Sequence, residues 1–279
     1  MSSSIQPSSP QSSKLRIGLL VDSLTQPAWV REMLRRVAAT GIAEVVLVVR
    51  NAYIEPPRST LARMWDNFHT LGYSLHLRLD RKLFAPKHDP FETGSIEELI
   101  PDAKVFDVVP QRGKHVDRLA AVDVDRIAAE RPDVLIRLGF RILKGPILTL
   151  APAGVWSFHH GDPDTHRGGP AGYWEVFRGE PTTGAILQIL NEELDGGTIL
   201  AETHSCTDPT SQLRNNATSY WKALAMLPRQ LKSLARLGAD EFLGQAGTRA
   251  APVRFYSHKL YVARAIATSW PVFSKPLDA

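Results

Sequence analysis

Apolar runs alternate with helical patterns in the first part of the chain. Leu15–Val21 is a short apolar run, residues 29–40 carry apolar positions at helical spacing up to Gly41, and residues 43–50 are again apolar. A buried strand, a helix and a second buried strand in this order are typical of a βαβ unit. The alternation returns at residues 104–110, 116–130 and 132–140. The pattern therefore predicts an α/β fold on a mainly parallel sheet flanked by helices.

Between these units, residues 51–103 have a weaker pattern. A helix is indicated at residues 61–70, and a Pro- and Asp-rich insertion occupies residues 84–91. Because neither feature has a regular continuation, we expect an irregular excursion from the sheet.

The second half of the chain predicts a strand, a helix, two further strands and a long helix. Residues 154–162 begin apolar and turn polar, which is typical of a central strand that emerges into a cleft. A helix begun by Pro170 and two strands at residues 185–191 and 198–205, joined by a Gly-rich turn, follow. Residues 211–238 have the amphipathic pattern of one long helix, kinked at Pro228. We expect a disordered Ser/Pro-rich tail at residues 1–13, one α/β domain at 14–206 and a helical extension at 207–279.

Composition and charge narrow the class of protein. The chain of 279 residues is 43% hydrophobic and 22% charged, as in ordinary globular proteins. Its net charge of +4 comes from Lys and Arg scattered among acidic residues, so a nucleic-acid partner is not indicated. The single cysteine, Cys206, excludes an internal disulfide and suits a reducing cytosol. Without a signal-like segment or 18 consecutive apolar residues, we expect a cytoplasmic protein that is not bound to membranes.

Three histidines and two aspartates crowd the stretch from residue 156 to residue 170. A metal cluster, an acid/base site and a polar loop are the three alternatives. A metal site of His159, His160, Asp162 and His166 is chemically conceivable. However, adjacent strand residues point to opposite faces, so Ser157 and His159 share one face and His160 lies on the other. The stretch also lacks metal-binding spacings such as HExxH, and we therefore expect no metal.

Four motifs occur in a fixed order: GVWSFHH, RGGPAGYW, RGEPTTGAI and ELDGG. In this order they resemble the folate-dependent formyltransferases, the family of the glycinamide ribonucleotide, methionyl-tRNA and sugar N-formyltransferases. The resemblance covers residues 133–205 most strongly. It implies a Rossmann-like, formyltransferase-like fold for the catalytic domain and 10-formyltetrahydrofolate as the formyl donor.

The resemblance also implies roles for individual residues. The catalytic residues would be His159 and Asp195, with Ser157 where the family has a catalytic asparagine. The donor pocket would be formed by Phe140, Arg141, Ile142, Leu143, Glu193 and Leu194. The substrate mouth would include His160, Asp162, Arg167 and Gly168. Ser157 retains one hydroxyl donor but has a shorter reach than a carboxamide.

The implied reaction is transfer of a formyl group to an amino group of a small-molecule or sugar substrate. Two alternatives stay open: a folate-dependent hydrolase on the same scaffold, and a catalytically silent ligand-binding relative. The turn after the first strand, VDSLTQPAW, lacks the glycine-rich phosphate cradle of the purine-pathway members, so glycinamide ribonucleotide is a poor substrate candidate. The predicted helix at residues 211–238 could pack on its own sheet or form a homodimer face.

Overall fold

The structure is a computed structural model. It describes residues 14–57, 59–161, 170–193 and 196–246. The strands in these residues are β1 (Leu15–Val21), β2 (Thr25–Pro27), β3 (Ala43–Asn51), β4 (Thr93–Ser95), β5 (Lys104–Val108), β6 (Gln111–Arg112), β7 (Val116–Arg118), β8 (Val134–Arg137), β9 (Ile142–Lys144), β10 (Val155–His160), β11 (Thr182–Ile189) and β12 (Thr198–Cys206). The α-helices are α1 (Ala28–Thr40), α2 (Thr60–Phe84), α3 (Ala121–Ala129), α4 (Tyr173–Arg178), α5 (Gln212–Ala223), α6 (Met226–Leu237) and α7 (Ala239–Gln245).

The main sheet has the strand order β12-β11-β10-β8-β1-β3-β5. From β10 to β5 all neighbouring strands are parallel, while β11 and β12 continue the sheet as antiparallel strands. Helical connections return the chain to the same end of the sheet, so successive strands run in the same direction. The predicted mainly parallel α/β sheet is confirmed. Two small sheets, β2-β4 and β6-β7-β9, lie outside it.

Both faces of the main sheet are covered by apolar side chains. One face packs against α1, α6 and α7 in a first core that includes Met33, Trp156 and Leu231. The other face packs against α3 in a second core that includes Ile127 and Val155. Neighbours on β10 thus enter opposite cores, as the period of two in a strand requires. The burial of each large apolar side chain stabilises the sheet by about 1.5–3 kcal/mol.

The excursion expected at residues 51–103 is instead dominated by α2, a helix of 25 residues. The helix predicted at residues 61–70 lies within α2, but its continuation to Phe84 was missed because this second part inverts the usual pattern. Leu71 and Leu75 are exposed, whereas Asp80 is only 4% exposed and its carboxylate accepts a hydrogen bond from the Leu213 N–H at 2.8 Å. A helix that contacts its neighbour through polar groups gives no apolar stripe in the sequence.

The predicted helix at residues 116–130 also differs from the structure. Its first residues form β7, which pairs with β9, and α3 begins only at Ala121. Similarly, the helix expected to begin at Pro170 begins at Tyr173.

Two helices replace the single kinked helix predicted at residues 211–238. The Ser211 hydroxyl caps α5 by accepting a hydrogen bond from the Arg214 N–H, and residues 224–225 interrupt the helical structure between α5 and α6. Pro228 lies in the first turn of α6, where a missing N–H removes no helical hydrogen bond. Leu224 and Leu231 belong to the first core, so this part of the predicted helical extension packs on its own sheet. The domain limits at residues 13 and 206, and a homodimer, stay predictions.

No helix in the described part of the chain is both long enough and apolar enough to span a membrane.

Candidate active site

The candidate site lies where the parallel strands end. Asp22 follows β1, Asn51 ends β3, Arg137 ends β8, and His159 lies near the end of β10. The carboxyl ends of parallel strands are the usual place for ligands in open α/β sheets, because the loops there leave a crevice. The sheet therefore gathers side chains from distant parts of the sequence at one edge.

The end of β10 separates its two histidines. Phe158 and His160 contact the ring of Trp29 on α1 at a centroid distance of 5.3 Å each, whereas Ser157 contacts Arg137 on β8. His159 is half-buried. This arrangement agrees with the predicted alternation, in which Ser157 and His159 share the face opposite His160.

Gly161 ends this strand with a φ of +154° and lies between two ionisable side chains. A Cβ atom at this position would lie 3.4 Å from His159 Nε2 and 4.0 Å from Glu175 Oε1. Glu175, on α4, is fully buried and was not predicted as a site residue. Gly161 thus has the His159 imidazole and the Glu175 carboxyl group as neighbours.

His160 lies in an aromatic cluster rather than beside His159. Its ring stacks on Tyr220 with centroids 3.5 Å apart and an interplanar angle of 9°. Among the described residues, neither ring nitrogen of His160 has a hydrogen-bond partner. Burial, and secondarily the positive charge of His159, lowers the pKa of His160 to about 3, and burial raises the pKa of Tyr220 to about 12. His160 is therefore a neutral ring at neutral pH, and the structure does not bring it together with Ser157 and His159.

Ser157 is buried, with 2% of its surface exposed. Its Oγ accepts a hydrogen bond from Arg137 Nη1 at 3.0 Å and donates to the Phe158 carbonyl at 3.3 Å. The single hydroxyl hydrogen is thus directed to the main chain. Arg137 was not predicted as a site residue, although an arginine at the end of an otherwise apolar strand is a recognisable signal.

A short loop at residues 138–141 joins the ends of β8 and β1. The Asp22 carboxylate accepts from the Phe140 N–H at 2.9 Å and from Asn51 Nδ2 at 2.8 Å. Phe140 has a φ of +63°, which is uncommon for a residue with a side chain. A Cβ atom at Gly139 would collide with the backbone nitrogen of Asp22 and lie 2.7 Å from the carbonyl carbon of Val21. Only glycine fits at position 139, and the carboxylate holds the loop in this unusual conformation.

Arg141, predicted in the donor pocket, is held by a buried carboxylate. Its Nε and Nη2 donate to Asp117 Oδ1 at 2.9 and 2.7 Å, and its N–H donates to Asp117 Oδ2 at 2.9 Å. Nη1 and Nη2 also donate to the carbonyls of Lys114 and Gly113. The guanidinium therefore fastens the loop to the small β6-β7-β9 sheet.

The two segments predicted to hold the folate approach each other. Lys144 Nζ donates to the Glu192 carbonyl and the Gly145 N–H donates to Glu192 Oε1, both at 2.7 Å. Phe140 and Leu143 are buried in the second core, Ile142 is half-buried, and Glu193 is exposed. The apolar side chains thus support this region from behind.

Several predicted site residues lie outside the described residues: Leu194, Asp195, Asp162, His166, Arg167 and Gly168. Within the described ranges, no group of three or more His, Cys, Asp or Glu residues is arranged to hold a metal ion.

The fold of the chain is similar to those of known structures, although no family model and no curated protein matches the chain. Glycinamide ribonucleotide transformylase 1 from Symbiobacterium toebii is 15% identical, with a TM-score of 0.50 over 88% of this chain and 95% of that one. Phosphoribosylglycinamide formyltransferase from Brucella melitensis is 16% identical, with a TM-score of 0.52 over 86% of this chain and 100% of that one. The chain has the formyltransferase fold. The expectation drawn from the four motifs is confirmed at this level.

A hydrolytic enzyme is also similar to this chain. A formyltetrahydrofolate deformylase from Pseudomonas syringae pv. tomato is 16% identical, with a TM-score of 0.51 over 80% of this chain and 63% of that one. The formyltransferase fold thus occurs in proteins named for transfer and for deformylation. The fold alone does not choose between the two reactions.

Proposed function

We propose that the protein transfers a formyl group from 10-formyltetrahydrofolate to an amino group of a small-molecule or sugar substrate. The observation that carries the proposal is the position of His159, half-buried at the end of β10 in a formyltransferase fold. The acceptor nitrogen forms a bond to the formyl carbon, the bond from that carbon to N10 of the folate breaks, and the acceptor's proton passes to N10.

His159 is the proposed acid/base group of this reaction. An imidazole can take the proton of the attacking amine and deliver it to the leaving nitrogen. Asp195 is proposed to orient the imidazole and favour its charged form, a role that rests on the LDGG motif. Together these two side chains would supply proton transfer at the formyl carbon.

The donor pocket is proposed between residues 140–143 and residues 192–195. The contacts of Lys144 and Gly145 with Glu192 support this placement, because they hold the two segments side by side. Phe140 and Leu143 are buried in the second core, so the main-chain groups of this segment would face the folate rather than these two side chains. Main-chain donors and acceptors suit the polar edge of a heteroaromatic ring. When bound, the folate supplies the activated formyl group.

The acceptor is proposed to carry no phosphate at the turn after β1. The exposed carboxylate of Asp22 lies there and would repel an anion. This supports a small amine or amino sugar over glycinamide ribonucleotide. Asp162, Arg167 and Gly168 remain proposed residues of the acceptor mouth.

Hydrolysis is the second candidate, favoured by the deformylase likeness. The purified protein should be incubated with 10-formyltetrahydrofolate, with and without a panel of small amines and amino sugars. Tetrahydrofolate, free formate and formylated amine are then measured. Amine-dependent product supports transfer, whereas formate released without an amine supports hydrolysis. Folate binding without either product would indicate a catalytically silent relative.

The same assay tests the catalytic residues. We expect His159→Ala and Asp195→Asn each to lower turnover by about 10² or more, as is typical for the loss of acid/base assistance. The melting temperature should change little, since both residues are proposed to act in turnover rather than in folding. Full activity of His159→Ala would contradict the mechanism. We also propose a cytoplasmic location, which an exposed free thiol at Cys206 supports.

A further inference from the structure

The charged guanidinium of Arg137 donates hydrogen bonds to uncharged groups, two main-chain carbonyls and one hydroxyl. Its Nε donates to the Arg141 carbonyl at 3.1 Å, Nη1 to Ser157 Oγ at 3.0 Å, and Nη2 to the Phe140 carbonyl at 2.9 Å. A guanidinium has five N–H donors in a fixed plane. Two of them, one on each terminal nitrogen, therefore have no acceptor among the described residues.

Among the described residues, the charge of Arg137 also has no direct counterion. No carboxylate in the described part of the chain lies within ion-pair distance of it. Asp22 and Asp117 act on its charge from farther away, and their carboxylates accept hydrogen bonds from Phe140 and Arg141. Burial lowers the pKa of Arg137, although a guanidinium stays protonated near neutral pH. A partly desolvated cation without a counterion is unfavourable, even when neutral groups accept its hydrogen bonds. An anion that binds beside Arg137 would remove this penalty.

Ser157 and Arg137 differ in their access to a ligand. Ser157 is buried and uses its hydrogen on the Phe158 carbonyl, whereas Arg137 is half-buried and has two donors with no acceptor among the described residues. The two residues are also register partners on the adjacent parallel strands β8 and β10. The guanidinium thus lies directly beside the position where an asparagine was expected.

On the basis of the proposed function, we propose that Arg137 binds the formyl oxygen and stabilises the negative charge it gains when the acceptor nitrogen attacks. Arg137 keeps its protons and only donates hydrogen bonds, while the amine proton moves through His159 to the leaving nitrogen. Ser157 is a positioning residue that accepts from Nη1 and fixes the plane of the guanidinium. In this chain, a charged donor on β8 therefore replaces the missing carboxamide donor on β10.

Formate is the probe for this site, because it is a small carboxylate that needs no catalysis to bind. We expect formate to raise the melting temperature of the wild-type protein in a saturable manner, and Arg137→Gln to abolish this response. In the formyl-transfer assay, Arg137→Gln should lower kcat by about 10²–10³, as for the loss of an oxyanion donor. Arg137→Lys keeps the charge but loses the planar fork, so it should retain part of both signals.

Arg16→Gln is the matched control. Arg16 also donates to main-chain carbonyls, those of Glu130 and Arg131, but at the start of β1 on the opposite end of the sheet. This variant should keep the formate response and the activity. A formate response that is absent in the wild type, or that survives in Arg137→Gln, would overturn the proposal. So would equal loss of both signals in Arg137→Lys and Arg137→Gln, because that result assigns Arg137 to bracing the loop.

The two proposals fail in different ways. If the wild type binds formate through Arg137 but turns over no formyl donor, the anion site stands and the proposed function falls. If the wild type transfers formyl groups and Arg137→Gln does so equally well, the function stands and the assignment of Arg137 is wrong. Each variant is checked for cooperative unfolding first, so that a misfolded protein is not counted as a loss of binding.

Discussion

His160→Phe should stabilise the protein, and more so as the pH falls. The ring of His160 stacks on Tyr220 and contacts Trp29, and both its nitrogens are buried without partners in the described residues. A phenyl ring keeps the stacking surface and removes two unsatisfied polar atoms. At about pH 8 we therefore expect a gain of about 1 kcal/mol, near the lower end of the cost of an unsatisfied buried group.

The pH dependence follows from the depressed pKa of His160. Burial lowers this pKa from 6.5 to about 3, so the unfolded chain takes up a proton near pH 6.5 while the folded protein does not. The stability of the neutral buried ring is present above 6.5 and is lost as the pH falls toward 3. The loss is about 1.4 kcal/mol per pH unit, or about 2 kcal/mol at about pH 5. His160→Phe cannot take up this proton, so its advantage over the wild type should grow by that amount.

Urea unfolding of both proteins at about pH 8, 6.5 and 5 measures this difference, because other titrating groups cancel between them. His115→Phe, at an exposed position, controls for the added phenyl ring. A stability difference that stays constant with pH would refute the buried neutral state of His160. Formyl transfer by His160→Phe should stay within several-fold of the wild type, and a loss of about 10² would instead place His160 among the substrate-binding residues.

Three further substitutions test the scaffold of the site. Gly139→Ala should destabilise the protein by about 1–3 kcal/mol and lower activity, because its Cβ would collide with the backbone of Asp22; unchanged chemical denaturation would contradict this contact. Asp117→Asn should lower the stability by about 2–3 kcal/mol, since it leaves the partly buried guanidinium of Arg141 without its counterion. A melting temperature equal to that of the wild type at both low and high salt would argue against the pair. Pro228→Ala should change the melting temperature by no more than about 2 °C, because Pro228 lies in the first turn of its helix. A large shift would instead support the kink predicted from the sequence.

The sheet could be predicted from the sequence because its strands are buried on both faces. Runs such as residues 15–21 and 43–50 are apolar without alternation, and each is followed by a clear helix or loop signal. Only the first part of α2, at residues 61–70, could be predicted in the same way. The second part exposes leucines and buries Asp80 against α5, so its stability depends on a partner about 130 residues away in the sequence. Local periodicity contains no information about such a partner.

The strand alternation that separates the two histidines of β10 was also available from the sequence. What the sequence did not provide is which face is the cleft and which is the core. That distinction depends on Trp29 and Tyr220, which approach His160 from α1 and α5. The family resemblance had assigned His160 to the substrate mouth, whereas the packing places it among aromatic rings.

Arg141 shows the same limit in the predicted donor pocket. A motif can assign a residue to a pocket by position, but the direction of its side chain depends on Asp117, which is 24 residues earlier in the chain. Because Asp117 is fully buried, its carboxylate needs hydrogen-bond donors, and Arg141 supplies three of them.

Ser157, which the resemblance places where the formyltransferases have asparagine, has a neighbour that only the sheet reveals. In the sequence, Ser157 and Arg137 are 20 residues apart, and an apolar strand that ends in arginine has no evident relation to a missing asparagine. In the parallel pairing of β8 and β10, the two positions are neighbours. A smaller residue on one strand leaves room for a longer one on the next, and a half-buried cation is tolerated where an anion comes to bind. On the proposal above, a charged donor on β8 takes the place of a neutral donor on β10, and the formate response of Arg137→Gln tests whether it does.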